Sequence, residues 1–189
     1  MDITSIADRI LKLAYHRGAI SYGNFTLSSG TKSTYYFDGR RITLDAEGSY
    51  LIGTAFFQLL EGSNIQAIGG PTLGADPMVA AVATISWVNG NPLNAFIVRK
   101  EAKLHGTEQL IEGPILERGS RVAIVDDSCS TGGSIWHAIS VAEAAGYNVV
   151  KVMAILDRHQ GGSRKLRDQG YEFTCLLEAD ESGRIRIAV

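Results

Sequence analysis

The chain has 189 residues, 45% of them hydrophobic and 20% charged, a composition that suits one globular domain with an ordinary core. Its net charge of −2 excludes bulk attraction to nucleic acid or an anionic membrane, so phosphate recognition must come from local clusters. No apolar run approaches the roughly 20 residues that span a bilayer, and the opening MDITSIADRI lacks the basic-then-apolar order of a signal peptide.

The first expected element is a helix over residues 3–17, because Ile6, Ile10, Leu13 and Ala14 recur at helical spacing. Thr4 or Ser5 is its expected cap and Gly18 its stop. Residues 25–27 and 34–37 read as short strands around a Ser/Gly/Lys turn. Asp45 is placed to cap a helix over 46–60, ended by Gly62. A unit of strand, small-residue loop and helix then recurs, first as 65–68, 69–76 and 77–87. A strand over 95–98 leads into a long polar stretch, 99–113. The unit returns as strand 122–125 and helix 135–145, followed by strand 149–156 and a short helix over 163–168. Strands over 173–176 and 185–189 close the chain.

This alternation predicts an α/β domain with a parallel sheet and helices on both faces. Residues 1 to about 40 stand outside the pattern and are expected to form a small subdomain. Ligands of such sheets bind outside the carboxyl ends of the strands. Every chemically suggestive segment of this chain falls at such an end.

The most informative segment is RVAIVDDSCSTGGS, residues 121–134. An apolar strand runs into two adjacent carboxylates, Asp126 and Asp127, then a small-residue loop, then a helix. The plain alternative is a capping acid beside a solvated neighbour. Side-by-side carboxylates, however, raise each other's cost of ionisation unless cations or hydroxyl donors compensate. Ribose hydroxyls are such donors, and acids at strand ends accept from them in dinucleotide folds. Ser128, Ser130, Thr131, Gly132, Gly133 and Ser134 follow. Glycines permit close backbone approach, hydroxyls add donors, and the helix start offers free N–H groups to a phosphate. The loop lacks the Lys of a nucleoside-triphosphate loop and the spacing of a dinucleotide loop, which favours a monophosphate.

A second small-residue loop, GGPTLGAD at 69–76 with Thr72 at its centre, is a candidate second anion subsite. Arg99, Lys100, Lys103 and His105 put four basic or potentially basic groups in seven residues after a strand. A solvated charge run is the ordinary explanation. The length of the stretch also fits a lid, and a cationic lid fits a reaction that expels negative charge. Arg158, at the end of another strand, has the planar fork that reads a carboxylate or carbonyl. Lys32, Tyr36 and Phe37 flank the early strands and by themselves read as an exposed lysine and two core aromatics. Cys129 reads as a small loop residue. With Cys175 it makes neither zinc spacing nor a disulfide framework, so a reduced, cytoplasmic protein is expected. His16, His137 and His159 show no triad or metal spacing.

VAIVDDSCSTGGS resembles the phosphoribosyl pyrophosphate (PRPP) signature of type I phosphoribosyltransferases. FTLSSGTKSTYYFDGRR, RKEAKLHGTEQLIEG and LDRHQGG, in that order, resemble the orotate phosphoribosyltransferase family over nearly the whole chain. The resemblance implies a mostly parallel central sheet with flanking helices and a small N-terminal hood, in one domain. It implies transfer of phosphoribosyl from PRPP to orotate with Mg²⁺, giving orotidine monophosphate and pyrophosphate. Asp126 and Asp127 would contact the ribose hydroxyls, and residues 130–134 with Ser128 would hold the 5-phosphate. The loop with Thr72 would border the pyrophosphate. Arg99, Lys100, Lys103 and His105 would form a mobile catalytic loop that reaches the neighbouring subunit's site, so a homodimer is implied. Tyr36 and Phe37 would flank the orotate ring, with Lys32, Ser130 and Arg158 also on the orotate. Magnesium would be held mainly by substrate and water, without a dedicated protein cage.

Ser28 and Leu73 stand where many and some members of the family, respectively, carry lysine, and Lys32 is the candidate substitute for the first. A purine phosphoribosyltransferase would share the PRPP loop, but FTLSSG and LDRHQGG argue against it. A PRPP-sensing regulator should lack the basic lid and gain a nucleic-acid-binding face. Neither membrane nor nucleic acid is expected as a partner. The decarboxylase that acts next in the pyrimidine route stays open as one.

Overall fold

The computed structural model describes residues 1–26, 32–101 and 110–189. Lys103, His105, Ser28 and Leu27 therefore lie outside the described residues, as does most of the basic stretch.

The chain begins with helix α1 (Ile3–His16) and the strands β1 (Ile20–Thr26) and β2 (Lys32–Phe37). Helices α2 (Arg40–Thr43) and α3 (Ala46–Leu60) come next, then β3 (Ala67–Pro71), α4 (Asp76–Val88), β4 (Asn94–Val98) and β5 (Ile111–Glu112). The second half runs β6 (Arg121–Cys129), α5 (Gly133–Ala144), β7 (Asn148–Asp157), α6 (Gly162–Asp168), β8 (Glu172–Ala179) and β9 (Ile185–Ile187). Among the described residues, no helix is long and apolar enough to cross a membrane.

Seven strands make one sheet in the order β5-β4-β3-β6-β7-β8-β9. The five inner strands are parallel, as the alternating pattern predicts. The edge strands β5 and β9 are antiparallel, so the sheet is mostly parallel, as the family resemblance implies. No helix separates β8 from β9, so the chain returns directly and must pair antiparallel.

Successive residues of the inner strands face opposite sides, and two cores result. On β6, Ala123 and Val125 join α1, α3 and α4 on one face, while Val122 and Ile124 join α5 and α6 on the other. Each fully buried Ile or Leu contributes roughly 1.5–3 kcal/mol through its apolar surface. The β1–β2 hairpin stands apart as its own two-stranded sheet. Tyr35 and Phe37 anchor it in the first core, and Thr34 Oγ1 donates to the Ser182 carbonyl in the β8–β9 turn at 3.3 Å.

Several boundaries differ from the sequence expectation, each for a physical reason. Asp2, rather than Thr4 or Ser5, caps α1, because its carboxylate accepts from the Ser5 backbone N–H at 2.9 Å and Ser5 Oγ at 2.7 Å. Asp45 caps α3 as expected, accepting from the N–H groups of Glu47 and Gly48 at 3.1 Å. Strand β6 does not stop at Val125. It carries Asp126, Asp127, Ser128 and Cys129, and its pairing with β7 continues to Cys129 beside Asp157. Likewise β3 takes in Gly69, Gly70 and Pro71, paired with Phe96, Ile97 and Val98. Hydrophobic patterning reads side chains, whereas these strand ends are held by backbone pairing and carry polar or missing side chains. The glycines of β3 are close approaches. A Cβ on Gly69 would lie 2.2 Å from the Phe96 ring, and one on Gly70 would lie 2.1 Å from the Val125 carbonyl oxygen.

Candidate active site

The strand order reverses direction between β3 and β6, since β4 lies outward on one side and β7 on the other. A crevice opens at the carboxyl ends of strands at such a point. Here it receives Pro71 and Thr72 from β3, Asp126 and Asp127 from β6, and Tyr36 and Phe37 from the hairpin above. Lys100 and Ser134 complete the ring of expected residues around this cleft of ≈ 310 Å³.

The two acids hold its floor. Ser134 Oγ donates to Asp126 Oδ2 at 2.6 Å, and the Asp127 backbone N–H donates to Asp126 Oδ1 at 2.9 Å. Ser128 Oγ donates to Asp127 Oδ1 at 3.2 Å. Burial pushes the Asp126 carboxyl up to about 7, the neighbouring Asp127 charge adds to the rise, and the Ser134 hydrogen bond opposes it. Burial also raises Asp127, against the pull of Ser128 and Arg40. No ion pair among the described residues joins either carboxylate, so both remain open to a hydroxyl donor. Their surroundings leave room for one. A Cβ on Gly39 would lie 2.7 Å from Asp127 Cβ, and one on Gly74 would lie 2.7 Å from Asp126 Oδ1.

The loop after β6 is clamped from below. Gly162 N–H donates to the Ser130 carbonyl at 2.9 Å, and a Cβ on Gly162 would lie 2.6 Å from that oxygen. Gly132 takes φ +82°, a left-handed value that glycine adopts freely, and the chain turns there into α5. Ser130, Thr131, Gly132, Gly133 and Ser134 thus surround a helix start, where unpaired N–H groups favour an anion. Gly133 has open space at its Cβ position.

Two further clefts hold expected residues: one overlaps the acid cleft, and the other shares no lining residue with it. One, of ≈ 740 Å³, shares Thr72 and Lys100 with it and adds Arg99. Thr72 Oγ1 donates to Asp76 Oδ2 at 2.8 Å, fixing the loop over α4. The other, of ≈ 660 Å³, brings Lys32 to Arg158 beneath the hairpin. Arg158 Nη2 donates to Ser33 Oγ at 3.2 Å, and its guanidinium lies 4.6 Å from the centre of the Tyr35 ring. Alternation along β2 splits the aromatic pair: Tyr36 is 42% exposed, whereas Phe37 is 7% exposed and packs into the core while bordering the cleft. Phe25, not Phe37, packs on Tyr36, with ring centres 5.6 Å apart.

Sequence reasoning missed several contributors. Arg40 and Asp38 line the acid cleft, and the FDGRR stretch was their only signal. His137 Nε2 lies 2.9 Å from the Arg99 carbonyl oxygen. His159 bridges two carboxylates beside Arg158. Cys129 is no loop residue but a buried strand end. Among the described residues no group of three or more His, Cys, Asp or Glu side chains gathers as a metal site. The hard carboxylate oxygens of buried Asp126 and half-buried Asp127, in no ion pair among the described residues, would suit a Mg²⁺ held mainly by substrate and water.

No family model matches the chain. An orotate phosphoribosyltransferase from a Nostoc species is 42% identical over 172 residues, covering 91% of this chain and 81% of that protein. A phosphoribosyltransferase structure from Corynebacterium diphtheriae superposes with a TM-score of 0.79 at 34% identity, covering 92% of this chain and 96% of the other. The Mycobacterium tuberculosis orotate phosphoribosyltransferase in complex with PRPP does so with a TM-score of 0.73 at 34% identity, covering 94% and 96%.

Proposed function

We propose, for a chain that belongs to the orotate phosphoribosyltransferase family, that the described clefts divide one reaction among them. The chain transfers phosphoribosyl from PRPP to orotate, giving orotidine 5′-monophosphate and pyrophosphate for pyrimidine synthesis. The observation that carries this reading is the Asp126–Asp127 couple, one buried and one half-buried and neither in an ion pair among the described residues, lining a cleft beside Thr72 and Ser134.

The ribose hydroxyls donate to Asp126 and Asp127. These new hydrogen bonds replace lost hydration and favour the ionised carboxylates. The 130–134 loop and the start of α5 hold the 5-phosphate. Leaving-group departure develops positive charge on the sugar and negative charge on the pyrophosphate. The acids face the first, while Arg99 and Lys100 lie beside the second along the Thr72 loop. Lys103 and His105 are assigned to the same work by the family resemblance. Closure of their segment would exclude the water that otherwise hydrolyses PRPP. Tyr36 and Phe37 flank the base, and Arg158 with Lys32 meets its carboxylate or carbonyl. A Mg²⁺ held mainly by substrate and water would supply charge neutralisation at the phosphates, and Asp126 and Asp127 are the residues that would hold it on the protein side.

Supporting a homodimer, Tyr50 of α3 and Trp87 and Val88 of α4 are exposed apolar side chains, with Leu44 nearby. The assignment of the basic loop to the neighbouring site belongs to the same proposal. A cytoplasmic setting fits two free, buried cysteines. The net charge of −2 fits small-molecule substrates better than nucleic acid.

The test is an absorbance assay of orotate loss with PRPP and Mg²⁺, with adenine, hypoxanthine, xanthine and uracil in parallel. Orotate consumption that needs both PRPP and Mg²⁺ is expected. Use of another base instead would keep the PRPP site and overturn the base assignment.

A further inference from the structure

Arg158 sits in a turn that is held from two sides. On the hood side, Ser33 accepts from its Nη2 and the Tyr35 ring lies under its guanidinium. Its Nε is buried and has no hydrogen-bond partner among the described residues. On the sheet side the next residue, His159, takes φ +50°. That left-handed value is unfavourable for a non-glycine residue and persists only where the surroundings enforce it.

The enforcing contacts are visible. The His159 backbone N–H donates to Asp157 Oδ1 at 2.9 Å. Its ring spans two strands, with Nδ1 3.5 Å from Asp157 Oδ2 on β7 and Nε2 2.8 Å from Glu178 Oε2 on β8. Asp157 is fully buried and its Oδ2 has no hydrogen bond among the described residues, so the imidazole is its nearest compensation. Glu178 Oε1 in turn accepts from Arg186 on β9 at 2.8 Å. The row Asp157–His159–Glu178–Arg186 therefore ties the turn to three strand ends. Misplacement of a binding group by about an ångström costs up to about 100-fold in an oriented reaction. A turn fixed at this many points suits a residue that must present a planar fork.

We propose that His159 is a positioning residue for the base: its bridge between Asp157 and Glu178 sets the Arg158 guanidinium for orotate. This inference rests on the assignment of Arg158 to the orotate. It predicts a split, because the backbone contacts of this turn to the phosphate loop, Arg158 N–H to the Cys129 carbonyl and Gly162 N–H to the Ser130 carbonyl, both at 2.9 Å, use no atom of the His159 ring, and Ser134 holds Asp126 from α5. Base affinity should follow the bridge, and PRPP affinity should not.

Steady-state kinetics on the full-length protein decide it. His159→Gly removes the ring but relaxes the left-handed backbone, so it separates the bridge from the strain. It should raise KM for orotate about tenfold, the scale of one charge-assisted hydrogen bond, and leave KM for PRPP within about twofold. His159→Gln, which retains one donor, should recover part of the loss. Glu178→Ala should act in the same direction, and the double variant should be no worse than the poorer single one. Unchanged KM for orotate in His159→Gly, with active wild type, overturns the inference alone. An equal rise in both KM values also overturns it, since that marks general damage to the loop. A wild type that consumes no orotate overturns the parent assignment, and this inference with it.

Discussion

The His137 ring of α5 hydrogen-bonds through Nε2 to the carbonyl oxygen of Arg99 at 2.9 Å. The helix whose first turn is assigned here to the 5-phosphate is thereby tied to the residue where the basic segment begins. A carbonyl oxygen only accepts, so the ring nitrogen is the donor. The bond joins two parts of the site that lie 38 residues apart in the chain.

His137→Leu should cut the connection and leave a half-buried carbonyl without its partner. The expected result is a several-fold fall in kcat, on the scale of one hydrogen bond, with KM for orotate little changed. Steady-state assays beside a thermal melt check it. An unaltered kcat would mean that Arg99 and Lys100 are positioned without the helix.

The acid couple makes stability depend on pH in a definite direction. Asp126 rises from 3.8 to about 7 on folding, so between these values the native state binds the extra proton. Stability supplied by this group is complete below about pH 4 and is lost as pH rises through about 7. Asp126→Asn should remove that loss and stabilise the free protein at pH 8 by up to about 4 kcal/mol, while weakening PRPP binding. Urea unfolding at pH 5 and pH 8 measures the first effect, and titration with PRPP the second. Undiminished PRPP binding in Asp126→Asn with Asp127→Asn would remove the ribose assignment.

The basic segment should matter for turnover and not for folding. Lys103→Ala is expected to lower kcat by about 10²–10³-fold, as removal of one preorganised charge-stabilising donor does, with an unshifted melting temperature. Lys100→Ala should lower kcat as well, since Lys100 lines both the acid cleft and the Thr72 cleft. Wild-type turnover in Lys103→Ala would take the segment out of the mechanism.

Shared sites can be tested by complementation. Mixing Lys103→Ala subunits with Asp126→Asn subunits should restore part of the activity, because one site of the mixed dimer then has both groups intact. No recovery in verified mixed dimers would show that each subunit uses its own segment.

The amino-acid sequence by itself determined the alternating architecture, the acid couple with its glycine-rich loop, and the family resemblance. These are local signals: period-2 and period-3.6 patterns, a cap such as Asp45, and unusual neighbours such as Asp126 beside Asp127. Only the tertiary structure decided where β6 and β3 end, because backbone pairing holds strand ends whose side chains give no hydrophobic signal. It also turned Tyr36 outward and Phe37 inward, brought Arg40 over the acids, and set His137 against Arg99 and His159 between Asp157 and Glu178. Each of these contacts joins residues on different elements or faces. Their energies come from burial and hydrogen-bond geometry, which exist only once the sheet brings the strand ends together.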